Sequence, residues 1–190
     1  VSKGLTGKAI LQSGLSAKEV AARVNASLPI KGTTVARAET YAVMSMASTA
    51  TASLDFKLNG VSIQSYSENG AKDLNNIISS INEQSVKTGV VASQYDMGGG
   101  NYGVLLHAAQ GEDISLTEFS VGLGTAGATG TVSVQGVYEN GSNGFGSAGA
   151  AVALTAGNLS TQNRNTTVGG RIIFSHDSAS TISHSVAGST

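Results

Sequence analysis

The chain has 190 residues, 40% of them hydrophobic and 12% charged, with a formal net charge of -1. That length and apolar share allow a real core in one large or two small domains, and so little charge leaves no basic surface to grip phosphates or anionic lipid. Nucleic acid and membranes are therefore not expected as partners, and the absence of cysteine removes disulfides, thiolate metal sites and a cysteine nucleophile.

The 25 glycines, against one proline and no tryptophan, suit many tight turns between short strands. Their lack of period excludes collagen. The longest nearly apolar run, Ala148 to Ala153 with Leu154, falls far short of the roughly 20 residues that cross a bilayer. Val1-Ser2-Lys3 opens no signal-peptide h-region. A soluble, monomeric piece is expected, and a start at Val1 without methionine fits an excised fragment.

In chain order, Lys8 to Gln12 reads as a short strand. Ser16 followed by Glu19 is a capping box, so the first helix is placed at Ala17 to Leu28, with Pro29 ending it. Val35 to Met44 reads as extended and Ser48 to Ser53 as a polar link. Leu54, Phe56 and Leu58 alternate with Asp55 and Lys57, and Asn59-Gly60 then leads to Val61 and Ile63, which predicts a hairpin with a type I′ turn. A second helix is expected at Ala71 to Gln84, then strands at Val90 to Tyr95, Tyr102 to Ala108 and Ile114 to Val121, the last completing the same sheet. Beyond Gly122 the helical period vanishes. Short β-like pieces such as Thr131 to Tyr138 and Ala150 to Thr155 alternate with Gly, Ser and Asn clusters. Gly170 to Ser175 with Thr181 to Ser183 echoes Gly103 to His107 with Asp113 to Ser115.

One pattern occurs twice. Ser16-Ala17-Lys18-Glu19-Val20 and Gly70-Ala71-Lys72-Asp73-Leu74 each open a helical segment, their alanines 54 residues apart (71 − 17). The apolar stripes Val20, Ala21, Val24, Leu28 and Leu74, Ile77, Ile78, Ile81 follow, each with one buried face, and each segment then passes into a β-type run. The expected fold class is α+β: two strand-helix-strand units with antiparallel sheets, plus a Gly-rich β segment. Residues 1-121 with 168-190 would form one domain holding repeats at 8-44 and 54-120, and 122-167 a β-rich insertion or small outer domain.

The run Leu54 to Ile63, the helix ending Ser80-Ile81-Asn82, and Thr88-Gly89-Val90-Val91-Ala92-Ser93 resemble, in that order, the hook IN motif of bacterial flagellins. The likeness covers 54 to 120 well and 8 to 44 in degenerate form. It implies the outer, variable region of a flagellin, the domains called D2 and D3, extracellular on the flagellar filament. The implied role is structural, in motility and antigenic identity, with other flagellin subunits as partners. The polymerising heptad helices of that family are not present in this chain, and the family's innate-immune recognition site lies in them. A filament cap or hook-associated module is an alternative, since related motifs occur there, and so is a carbohydrate-binding adhesin using Tyr95 and Tyr102.

No catalytic, cofactor or metal site is assigned. Gly122-Leu123-Gly124-Thr125-Ala126-Gly127 matches G-x-G-x-x-G, but Ala128 to Gln135 reads as β and not as the helix a pyrophosphate needs. His107, His176 and His184, with Asp177, lack a G-x-S-x-G elbow, and no H-E-x-x-H occurs. Glu112, Asp113, Asp96 and Asp177 fit no calcium loop and read as solvated turn residues. Tyr41, Tyr66, Tyr95, Tyr102 and Tyr138 suit either a sugar-stacking platform or half-buried strand positions. Asn25, Asn158 and Asn165 begin N-glycosylation triplets, with Asn25 inside a helix and so a poor acceptor. Some flagellins carry O-linked sugars on outer-domain serines and threonines, for which the resemblance offers Ser142, Ser147, Thr161 or Thr166 as hosts, the sequence not choosing among them. Antibodies and glycans complete the expected partners.

Overall fold

The structure, a computed structural model, describes residues 14–27, 34–46, 52–67, 74–123, 131–140, 144–155 and 163–176. Helix α1 (Ala17–Ser27) leads to the long strand β1 (Thr34–Met46), and β2 (Ala52–Leu58) and β3 (Val61–Ser67) follow. Then come α2 (Asn75–Glu83), the single turn α3 (Ser85–Thr88), β4 (Val91–Gly98) and β5 (Asn101–Ala108). The remaining strands are β6 (Ile114–Leu123), β7 (Thr131–Glu139), β8 (Phe145–Ser147), β9 (Val152–Thr155), β10 (Thr166–Val168) and β11 (Arg171–His176).

These strands form two antiparallel sheets. One has seven strands on the path β4-β5-β1-β7-β8, with β11 joined to β1 and β9 to β7, and the other runs β10-β6-β2-β3. β1 is long enough to serve two neighbours in turn: Thr34 to Glu39 pair β11, and Tyr41 to Met46 pair β7. Thr40 to Met44 also pair β5. The inner faces of both sheets feed one cluster, to which β2 gives Leu54, Phe56 and Leu58, β1 gives Ala42 and Met44, and β7 gives Val132 and Val134.

Several expected elements are present. Ser16 and Glu19 form the capping box: the Ser16 amide donates to Glu19 Oε2 at 2.9 Å, and the Glu19 amide reaches Ser16 Oγ at 3.4 Å. The bond from the Ser16 amide, then that from its hydroxyl, lowers the Glu19 carboxyl below its ordinary range. Asn59 and Gly60 both take positive φ, +47° and +82°, as a type I′ turn requires, and the β2–β3 pairing closes on it from Leu58 to Val61.

The expected fold class is corrected. The described residues are 59% strand and 19% helix, with no strand-helix-strand unit, so the fold is mostly β and not α+β. The strands on either side of α2 belong to different sheets: β3 edges the four-stranded one and β4 the seven-stranded one. α2 bridges those edges, contacting both and burying Ile77 and Ile81 in the shared core. A helical stripe shows that one face is buried and does not say against which sheet. The first expected strand, 8–12, and residues 68–73, which hold the expected start of the second helix, lie outside the described residues.

β6 likewise does not complete the β4–β5 sheet; it pairs β2 and β10. Its register against β2 shifts between Asp55 and Lys57, Glu118 takes φ +56°, and the bulge swings Phe119 fully into the core. Arg164 fastens that bulge, its Nε donating to the Phe119 carbonyl at 2.8 Å while the Phe119 amide donates back to the Arg164 carbonyl at 3.0 Å.

Ile77 and Ile81 are both 0% exposed. Truncating either to alanine should cost about 2–5 kcal/mol, because a cavity adds to the lost apolar transfer; chemical denaturation of Ile77→Ala and Ile81→Ala checks this, and unchanged midpoints would contradict the packing described.

Candidate functional site

The segments that carry the family resemblance fold into one linked unit. Asn59 enters the turn on a positive φ and then spends its whole side chain on two other elements. Its Nδ2 donates to the Thr88 carbonyl at 2.8 Å, and its Oδ1 accepts the Ser115 amide at 2.8 Å. Thr88, buried at the end of α3, donates its hydroxyl to the Gln84 carbonyl at 3.1 Å and accepts the Val90 amide at 3.2 Å. Gly89 then closes the helix with the left-handed φ of +72° that favours glycine. Hairpin, helix end and next strand are thereby fixed to one another.

The second link joins helix and strand directly. Asn82 Nδ2 donates to the Ala92 carbonyl at 2.9 Å, and the Ala92 amide donates to Asn82 Oδ1 at 2.7 Å. A carboxamide used this way stands in for one residue of a neighbouring strand on the open edge of β4. The same pair recurs at α1: Asn25 Nδ2 donates to the Ala36 carbonyl and the Ala36 amide to Asn25 Oδ1, both at 2.8 Å. The two asparagines lie 57 residues apart (82 − 25) and their strand partners 56 (92 − 36). Asn25, in sequence only a poor glycan acceptor, is thus a structural residue; an asparagine in the last turn of a helix that feeds a strand is the signal that points to it.

α1 is also held at its start. The Lys18 amide donates to the Gly111 carbonyl at 3.1 Å, and its Nζ pairs with Glu112. Burial works to raise the Glu112 carboxyl, but the hydrogen bond and charge of Lys18 outweigh it and the pKa is lowered. Gly111, at φ +76°, backs against Ala38, where a Cβ would come within 2.2 Å of the alanine methyl.

The remaining candidates do not converge on chemistry. His107 stacks flat on Tyr41, ring centroids 4.1 Å apart and planes 7° from parallel, while Phe145 meets Tyr41 and Tyr95 edge-on. The Tyr41 hydroxyl donates to Glu139 at 3.2 Å. Tyr95 faces Gly103 and Tyr102 faces Asp96 across the β4–β5 hairpin, so these two tyrosines point to opposite faces and build no common platform. Tyr102 packs on the core, Tyr138 lies under Arg171, and Tyr66 stands half-exposed.

Asp96 accepts the Gly98 amide in its own turn. Among the described residues no three histidine or carboxylate side chains gather as a metal site, and no helix is long and apolar enough to cross a membrane. Asn165 accepts the Glu118 amide, Ser147 donates to the Gly149 carbonyl, and Thr166 lies in β10. Gly124 to Gly127, Ser142, Asn158, Thr161, Asp177, His184 and the side chain of His176 lie outside the described residues.

No protein-family model matches the chain, and no curated protein does. Among solved structures, the D2-D3 domains of the flagellar cap protein FliD from Escherichia coli align with 77% of this chain and 96% of that one, at 13% identity and a TM-score of 0.28. The D1-D2-D3 domains of FliD from Escherichia coli align over 76% of this chain and 47% of that one, at 16% identity and a TM-score of 0.28. A TM-score of 0.28 is too low for either likeness to carry an argument.

Two outcomes are expected from this geometry. Asn82→Ala leaves the Ala92 amide and carbonyl without their partner and should cost about 1–3 kcal/mol in urea unfolding, with Asn82→Asp no better because it sets an oxygen against the Ala92 carbonyl. Burial first, then the charges of Glu139 and Glu39, raise the Tyr41 phenol from 10.0 to about 12. Its protonated form therefore adds stability below pH 10.0 that is lost as pH rises through about 12. Phenolate absorbance in an alkaline titration should show a step near 12 that Tyr41→Phe removes.

Proposed function

We propose that this chain is a surface-exposed outer module of a bacterial flagellar filament protein, a flagellin, with a structural role in the filament and no enzymatic one. What carries the reading is the match between the motif segments, Leu54 to Ile63, Ser80 to Asn82 and Thr88 to Ser93, and the linked unit they build. The polar motif positions each hold two elements together. Asn59 and Thr88 fasten the hairpin to the helix end, Gly89 turns the chain, and Asn82 fastens the helix to β4.

The non-enzymatic reading is supported by how the titratable groups are used. His107 is spent on an aromatic stack and Glu112 on an ion pair. No nucleophile, base and orienting group can be named together among the described residues. The proposed setting is extracellular, with other filament subunits as partners.

Labelling intact cells with antiserum raised against this module tests the proposal and separates it from its neighbour. Decoration along the whole filament is expected. Label confined to the filament tip would move the chain to a cap or hook-associated protein, and no flagellar label would overturn the reading.

A further inference from the structure

An asparagine followed by glycine is chemically labile, because the glycine has no side chain to keep its main-chain nitrogen away from the asparagine Cγ. When that nitrogen attacks, a bond forms between it and Cγ and the Cγ–Nδ2 bond breaks. Nδ2 leaves as ammonia, taking the proton of the glycine amide. Water then opens the cyclic imide, giving aspartate if the new bond is cut or isoaspartate if the main-chain carbonyl is attacked. The sequence holds the pair at Asn59-Gly60, Asn69-Gly70, Asn140-Gly141 and Asn143-Gly144, and only in the first are both residues among those described.

At Asn59-Gly60 the nucleophile is accessible and the carboxamide is not. Gly60 is exposed at the tip of the β2–β3 turn, where a Cβ would meet nothing within 4 Å. Asn59 is tied down three times. Its amide donates to the Ser115 carbonyl at 2.9 Å, its Oδ1 accepts the Ser115 amide at 2.8 Å, and its Nδ2 donates to the Thr88 carbonyl at 2.8 Å. Ring closure must turn the face of the carboxamide toward the Gly60 nitrogen, and bonds at both polar atoms fix that plane against β6 and the end of α3. The leaving nitrogen is the one bonded to Thr88. Attack therefore waits for the joint between the hairpin, α3 and β6 to open.

The product does not restore that joint. Aspartate at position 59 sets an oxygen where Nδ2 had donated, so that an acceptor faces the Thr88 carbonyl. Isoaspartate also lengthens the main chain inside a tight turn whose length sets the β2–β3 register. Conversion runs one way and weakens the contact whose opening allowed it.

We propose that Asn59 is a fold-gated deamidation site, stable while the hairpin is fastened to α3 and β6, converted with the help of water when that joint opens, and unable afterwards to re-form it. The site is a property of this chain alone and does not rest on the filament role.

Timed incubation in mildly alkaline buffer, followed by peptide mass mapping, compares Asn59 in the folded chain with Asn59 in the urea-unfolded chain and needs no variant. Conversion in the folded chain should be slower by about tenfold or more, tenfold being the protection from an opening equilibrium of about 1.4 kcal/mol. Thr88→Val removes the hydroxyl bonded to the Gln84 carbonyl and the Val90 amide and leaves Asn59 and its carbonyl acceptor in place. It should speed conversion in the folded chain and leave the unfolded rate unchanged. Asn59→Asp, which carries the product side chain, should unfold at a lower urea concentration. Equal rates at Asn59 in the folded and unfolded chains would overturn the proposal. So would a cooperatively folded Thr88→Val chain that converts no faster, or an Asn59→Asp chain as resistant to urea as the unaltered one.

Discussion

A side-chain carboxamide presents an N–H donor and a carbonyl acceptor side by side, the complement that a strand residue shows its neighbour. The fold uses this equivalence to attach helices to sheet edges. Asn82 occupies the Ala92 position on the open side of β4, and Asn25 does the same for Ala36 of β1. An unpaired strand edge is a liability for a β-rich chain because it invites pairing with another copy. Each asparagine covers part of such an edge and fixes its helix to the strand that follows.

The consequences reach the core. With Asn82 pinned to β4, the apolar face of α2 carries Ile77 and Ile81 into the space between the two sheets, where they meet residues of both. The four-stranded sheet is tied in through Asn59, whose amide reaches Thr88 at the far end of the same helical segment. A chain without cysteine has no covalent staple, so its cohesion comes from this cluster and from the hydrogen-bonded joints that hold the helix in register with it. Side chains so fully engaged in holding the fold suit a module that presents a surface, which is the role proposed for it.

Local features were legible in the sequence because local physics sets them. The Ser16–Glu19 box, the Asn59-Gly60 turn, the inward alternation of Leu54, Phe56 and Leu58, and the buried stripe of α2 all depend on residues within a few positions of one another. Sheet membership was not legible, because it depends on partners far along the chain. Ile114 to Val121 reads as the natural third strand after β4 and β5, yet it pairs with β2 and β10. Strand alternation also gave no warning of the bulge that makes Phe119, and not Glu118, the inward residue. The α+β expectation failed on the same point: two helical stripes were visible, but the pairing of β7, β9, β10 and β11 with the two sheets was not. For the candidate site, the positions of Asn59 and Asn82 were visible through the motif, while the roles of their amides, and of Asn25, required the strands to be in place.

Native-state hydrogen exchange at single amides tests the edge-joining role of these asparagines most directly. Slow exchange is expected at Ala36 and Ala92, whose amides donate to Asn25 and Asn82, and fast exchange at Gln94, two residues beyond Ala92 in β4. Exchange at Ala92 as fast as at Gln94 would contradict it, since the helix would then not be fastened to the sheet edge.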